Sequence, residues 1–382
     1  MMTTESGHHL VERLYRYDCR WYRGDKSCAA GGNCAGCAEY RKIERRILII
    51  KWGARGDNLR TTPILRALRA EWPDAQISWL TAPESLPLLQ HNSLLDRVYA
   101  FDALGVAALL PQSFDLLLSL DKEPGALGMA MNVRATDKRG FAMTESGSLT
   151  VFNPASAYAL RLGVDDELKF RGNRKSYPEI IFEMAEFPYR GEEFVVELSD
   201  TERARAHGRL QAWFGDGPVV GLNTGCGRVY AAKSWSQENF ITLARELIRR
   251  GRHVLLLGGT DERARNEAIS EVTDGRAVIA ATQDNLRDLI GYIDGCAAVV
   301  TGDTLALHIA VARHVPVVAL IGPTSAAELD LFGYGEKIVA ARDCAPCYRA
   351  ACPQPVSCMQ ELPPDRVLAA LDRVLAARAA GR

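Results

Sequence analysis

The sequence predicts an α/β protein of two doubly wound domains facing one another across a cleft, preceded by a cysteine-rich segment. Three observations predict it. The chain has 382 residues, more than one ordinary core at roughly 100–200 residues per domain. Short apolar runs alternate with stretches of helical period, and this alternation occurs twice. Ahead of the first apolar run lie Cys19, Cys28, Cys34 and Cys37, in a stretch with neither helical nor strand period.

Taken in order, residues 1–44 form a small appendage, with a turn signal at Gly31-Gly32-Asn33. Residues 45–205 form the first Rossmann-like domain. There Arg46–Lys51 (RILIIK) reads as a buried strand and Leu59–Glu71 as a helix, with further strands at Gln76–Thr81, Arg97–Phe101 and Phe114–Leu120. Met129–Glu197 has no clean period, and Pro178 and Pro188 interrupt any long element. Residues 206–382 form the second Rossmann-like domain. Its strands are expected at Val219–Asn223, His253–Leu257, Ala297–Thr301 and Pro316–Ile321. Helices are expected at Gln237–Arg250, Glu262–Glu271, Thr304–Arg313 and Pro364–Ala380. Parallel sheets of this kind place ligands in the crevice beyond the carboxyl ends of their strands.

Composition narrows the partners. With 46 basic and 47 acidic residues, the chain has no overall basic field for a nucleic-acid backbone. The N-terminus is charged throughout and lacks the apolar core of a signal peptide. The longest apolar runs, Leu116–Leu118 and Val315–Ile321, are far short of the ~20 residues that span a bilayer. A cytoplasmic protein without a transmembrane segment is expected, and peripheral contact with an inner membrane stays compatible.

Four turns at predicted strand ends carry residues suited to chemistry. After the first strand, Lys51-Trp-Gly-Ala-Arg-Gly-Asp57 is no dinucleotide fingerprint. Asp57 there is either a helix N-cap or a carboxylate able to act as a general base. After Val219–Asn223, Thr224-Gly225-Cys226-Gly227 and then Lys233 suit an anion, through loop N–H groups and a point charge. The bland reading is a turn with a solvated lysine. Glu262, after Leu257-Gly258-Gly259, can accept ribose hydroxyls or simply favour a helix start. Asp303 and Thr304 are good helix caps, and His308 follows one turn later, facing a pyrophosphate or packing structurally.

In order, these segments resemble glycosyltransferase family 9, the ADP-heptose:lipopolysaccharide heptosyltransferases. The resemblance runs from about Arg46 to the end, through IIKWGARGDNLRTTPILRALR, LNTGCGRVYAAKSW, LLLGGTDE and TGDTLALHIAVARHVPVVALIGPTS. It implies a GT-B fold, an acceptor-binding N-terminal domain and a donor-binding C-terminal domain. It implies inverting transfer with no catalytic metal, from an ADP-sugar to a hydroxyl of a glycan, glycolipid, protein or small molecule, in lipopolysaccharide core or related glycan synthesis. By the same resemblance Asp57 is the base. Thr224, Gly225 and Lys233 form the diphosphate loop, Glu262 binds ribose, and Asp303, Thr304 and His308 contact the donor. The chain departs from the pattern at Leu305, where the family has glycine, at Arg60, where it has histidine, and in its N-terminal cysteines. Two rival readings are a GT-B nucleotide-sugar epimerase and a non-catalytic, metal-stapled protein that binds sugar nucleotides.

A second group, Cys344, Cys347, Cys352 and Cys358, follows the last strand. The spacings C-x8-C-x5-C-x2-C and C-x2-C-x4-C-x5-C each offer four thiolates, suited to structural zinc or iron.

Overall fold

The computed structural model describes residues 15–28, 34, 36–227, 230–280 and 285–380. The Gly31–Asn33 turn lies outside them. Two six-stranded sheets form the frame, ordered β3-β2-β1-β4-β5-β6 and β12-β11-β10-β7-β8-β9. The first holds β1 (Arg46–Ile50), β2 (Gln76–Thr81), β3 (Arg97–Ala100), β4 (Ser113–Ser119), β5 (Arg134–Met143) and β6 (Leu149–Val151). The second holds β7 (Val219–Asn223), β8 (His253–Leu257), β9 (Ala277–Ile279), β10 (Ala298–Gly302), β11 (Val317–Ile321) and β12 (Gly335–Val339). All ladders are parallel except β5 with β6. Written from its own first strand, each sheet runs 3-2-1-4-5-6, so each reverses direction between its first and fourth strands.

Central strands such as β2, β7, β10 and β11 are buried along their whole length, because helices cover both faces of a parallel sheet. Each fully buried Leu or Ile contributes about 1.5–3 kcal/mol. Two apolar clusters flank the first sheet and two flank the second. One cluster crosses between halves: Leu59 and Leu88 pack with Phe194, Leu307, Ile309 and Leu329.

The helix expected at Leu59–Glu71 is two helices, Arg55–Thr61 and Ile64–Glu71. The break falls at Thr62-Pro63, where proline supplies no N–H. The irregular stretch resolves into a 10-residue β5 with a polar first half, the short β6 and the helix Tyr177–Ala185, closed by a Ser176/Glu179 capping box. The division expected at 205/206 falls inside the helix Asp200–Phe214. That helix packs on the second half, where Gly291 leaves room for the Ala206 methyl.

The described residues of the N-terminal appendage are docked on the first domain. Arg20 Nε lies 2.7 Å from Asp96 Oδ1, and Arg69 Nη2 lies 2.6 Å from the other oxygen of that carboxylate. Arg20 Nη1 also donates to Pro73 O at 2.9 Å, and the Glu44 N–H to Asp74 O at 3.2 Å. Among the described residues no helix is long and apolar enough to cross a membrane.

Candidate active site

Both reversal points open on the same cleft. On the N-terminal side, β1 is followed directly by Lys51, whose ammonium lies 2.9 Å from Asp121, two residues beyond β4. The same Asp121 oxygen accepts the N–H groups of Trp52 (2.9 Å) and Gly53 (2.6 Å). This carboxylate holds the turn that leads into Arg55–Thr61. Asp57 is the third residue of that helix. The cap position is Ala54 and no side chain caps it, so the N-cap reading of Asp57 is corrected. Its Oδ1 instead faces Arg60 Nη2 at 2.5 Å, and 34% of the Asp57 side chain is exposed to the cleft. Burial favours the neutral acid, but Arg60 and Lys51 outweigh it and hold the carboxyl at about 2. Asp57 is ionised at neutral pH.

On the C-terminal side, Lys233 Nζ lies 2.9 Å from Asp303 Oδ2 and 3.3 Å from the Asp303 carbonyl. Asp303 therefore pairs with Lys233 rather than capping Leu305–Ala312. Thr304 occupies the cap position without a side-chain bond to the helix. Its hydroxyl instead accepts Asn223 Nδ2 at 3.1 Å. Gly225 is required by crowding, since a Cβ there would stand 2.7 Å from Glu262 Cδ. Glu262 also accepts the Gly259 N–H at 2.9 Å through one of its two carboxylate oxygens.

Two cavities divide these residues. One of about 480 Å³ is lined by Gly225, Glu262 and Thr304, with Arg55, Leu286 and Leu289. The other, of about 540 Å³, brings Asp57, Lys233 and Asp303 together with Lys51, Arg60 and Tyr177. Two expected contacts are not brought to either. The Thr224 hydroxyl is committed to Asn266 Oδ1 at 2.6 Å, with the residue 2% exposed. His308 is 4% exposed, beneath the cleft floor with Nε2 3.8 Å from Asp303. Burial, and then the Arg60 charge, push its imidazole down to about 3, so it is neutral. Its ring instead supports the junction between halves: a Cβ at Gly56 would meet His308 Cδ2 at 3.2 Å.

Sequence reasoning missed the Lys51–Asp121 pair and Tyr177. The pair joins positions 70 residues apart, and only the adjacency of β1 and β4 reveals it. Tyr177 stacks under Arg60, with the guanidinium 4.1 Å from the ring centre. The cysteines of each group line a common cavity, Cys19, Cys28, Cys34 and Cys37 in one and Cys344, Cys347, Cys352 and Cys358 in another. Among the described residues, however, no three His, Cys, Asp or Glu side chains are gathered as one metal ion would require.

Two doubly wound domains with a cleft between their reversal points place the chain in the GT-B fold class. Comparison with known proteins narrows this. The model of glycosyltransferase family 9 (heptosyltransferase) matches residues 110–356, and the chain belongs to that family. Lipooligosaccharide heptosyltransferase 2 of Haemophilus influenzae is 29% identical over 41% of this chain and 50% of its own length. The chain spans about half or less of the length of the curated relatives it matches. Among solved structures, the E. coli ADP-heptose LPS heptosyltransferase II superposes with a TM-score of 0.68 at 20% identity, over 87% of this chain and 99% of the other. The E. coli heptosyltransferase WaaC with ADP-2-deoxy-2-fluoro heptose gives 0.58 at 16% identity, over 86% and 99%.

Proposed function

We propose that the protein is an inverting glycosyltransferase that moves a heptose from ADP-heptose to an acceptor hydroxyl during assembly of a lipopolysaccharide core or related glycan. The observation that carries the reading is the shared cavity that joins an ionised Asp57 from one half to Lys233 and Asp303 from the other. The adjoining cavity suits the nucleotide. Glu262 offers an acceptor for ribose hydroxyls, Leu286 and Leu289 an apolar wall for a base, and Gly225 close approach to phosphate.

In the reaction the acceptor oxygen bonds to the anomeric carbon as the bond from that carbon to the diphosphate breaks. Asp57 receives the hydroxyl proton. Its carboxylate is a weak base in the empty cleft, so transfer comes late, when the attacking oxygen has become acidic. General-base help of this kind is worth about 10²–10⁴-fold. Charge accumulates on the departing ADP, and Lys233 meets it by exchanging Asp303 for phosphate oxygens. The Thr304 N–H adds a dipole at the start of its helix. No step requires a metal. The acceptor is a glycan or glycolipid on this reading.

Thermal unfolding of the purified chain with ADP-heptose, UDP-glucose, GDP-mannose and ADP tests it. ADP-heptose and ADP should raise the midpoint while the other two do not. Equal response to all four, or to none, would remove the donor assignment. Donor consumption without an acceptor, yielding an isomerised sugar nucleotide, would instead favour the epimerase.

A further inference from the structure

The cavity assigned to the nucleotide is walled on its C-terminal side largely by glycine backbone, at Gly225, Gly227, Gly258 and Gly259, with the carboxylates of Asp261 and Glu262 beside it. A diphosphate placed there meets two like charges, so its binding needs a cation. Two cations flank the loop, and both are held. Arg265 Nη1 donates to the Thr224 carbonyl at 2.6 Å and to Ser234 Oγ at 2.7 Å. Lys233 lines the adjoining cavity, 2.9 Å from Asp303, and reaches a phosphate only by leaving that carboxylate.

Arg55 differs from both. Among the described residues it is the one lysine or arginine that lines the nucleotide cavity. It comes from the N-terminal half, as the first residue of the helix Arg55–Thr61. It is exposed, and its side chain has no hydrogen bond or ion pair with any described residue. A cation at the first residue of a helix opposes the helix dipole, and Asp57, two residues on, is turned to Arg60 instead. A local rule broken without compensation is expected at functional sites. The next residue fixes where Arg55 stands. Gly56 lies so close to the His308 ring that a Cβ would come within 3.2 Å of Cδ2, which seats the start of this helix against Leu305–Ala312. Gly56, Thr304 and Leu305 line the same cavity as Arg55.

We propose that Arg55 is a ligand of the donor diphosphate, delivered across the cleft by the N-terminal half. Its planar fork takes two oxygens of one phosphate through parallel N–H···O bonds, while the glycine wall allows close approach from the other side. Arg55 thereby offsets the repulsion from Asp261 and Glu262. The phosphate in turn ties the halves together at the turn that leads into Asp57. This assignment rests on the donor reading above.

Calorimetry of the full chain with ADP tests it, on the wild type, Arg55→Met and Arg55→Lys. Arg55→Met should weaken ADP binding by about 10–100-fold, the scale of a charged hydrogen bond. Arg55→Lys keeps the charge but loses the fork, so its affinity should fall between the other two. The ligand-free unfolding midpoint of both variants should match that of the wild type, because the exposed side chain holds nothing in place. Wild-type affinity in Arg55→Met overturns the proposal. Equal weakening in both variants also overturns it, since the effect would then be one of shape and not of charge. A lower ligand-free midpoint in either variant does the same, because Arg55 would then be structural. Failure of the wild type to bind ADP would remove the donor reading itself, and it is told apart from these outcomes because it appears without any substitution.

Discussion

The two sheets share a strand order yet meet the cleft with different chemistry. The N-terminal sheet ends in ionised side chains already paired with one another, Lys51 with Asp121 and Asp57 with Arg60. The C-terminal sheet ends in glycine turns, a helix start and one ion pair, Lys233 with Asp303. On the proposed function, one topology then supplies a proton-accepting edge and an anion-accepting edge, and the loops distinguish them. Pairing also keeps the charges of the empty cleft balanced, so that a ligand exchanges partners instead of meeting bare charge.

The largest expected effect tests the proton-accepting edge. Asp57→Asn should reduce turnover by about 10²–10⁴-fold, measured as heptose transfer at saturating donor. The substitution removes no cap, but it leaves the nearly buried Arg60 without its counter-charge, so some loss of stability is expected and turnover is to be compared at a temperature where both proteins are folded. Transfer near the wild-type rate would leave the N-terminal edge without its chemical role. Next comes the anion-accepting edge. Lys233→Ala should weaken ADP binding by about 10–100-fold, the scale of a charged hydrogen bond, read by calorimetry. Unchanged ADP affinity would assign the phosphates elsewhere.

A smaller effect separates the edges by mechanism. Gly225→Ala places a Cβ against Glu262 and should raise the donor KM several-fold with kcat nearly unchanged. A fall in kcat alone would blur the distinction between binding edge and reacting edge. The smallest effect concerns pH. Asp57 is held at about 2 against an ordinary 3.8, so it stays ionised as pH falls from neutral toward that ordinary value. In Arg60→Met the counter-charge is gone and the carboxyl rises, so the acid limb of kcat should move to higher pH while activity near neutrality changes less. A limb that does not move would mean that Asp57 is not the group whose protonation stops turnover.

The sheet centres were legible because buried parallel strands are continuous aliphatic runs, as in RILII of β1 or VVALI of β11. The edges were not. β5 begins RATDKR and β12 is GEKIV, so polar residues hide their pairing. Turn residues were legible as turns, but not in where their side chains point. Thr224 looked like a phosphate ligand and is committed to Asn266. Asp303 looked like a cap and is held by Lys233. Asp57 looked capable of capping because it stands near a helix start, but the helix begins two residues earlier, at Arg55. Partnerships over long sequence distance decide such cases, and local spacing does not encode them.

The apolar cluster that joins Leu59 and Leu88 to Phe194, Leu307 and Ile309 has a thermodynamic meaning. Domains linked by small polar interfaces melt one at a time. Here neither half can unfold without stripping the cover from the other's buried side chains. Arg287 adds to this by donating to Pro87 O in one half and to Glu202 below its own helix. The two sheets then form a single cooperative unit. Free energy gained when a nucleotide fills the C-terminal edge is shared by the whole fold, including the helix that carries Asp57.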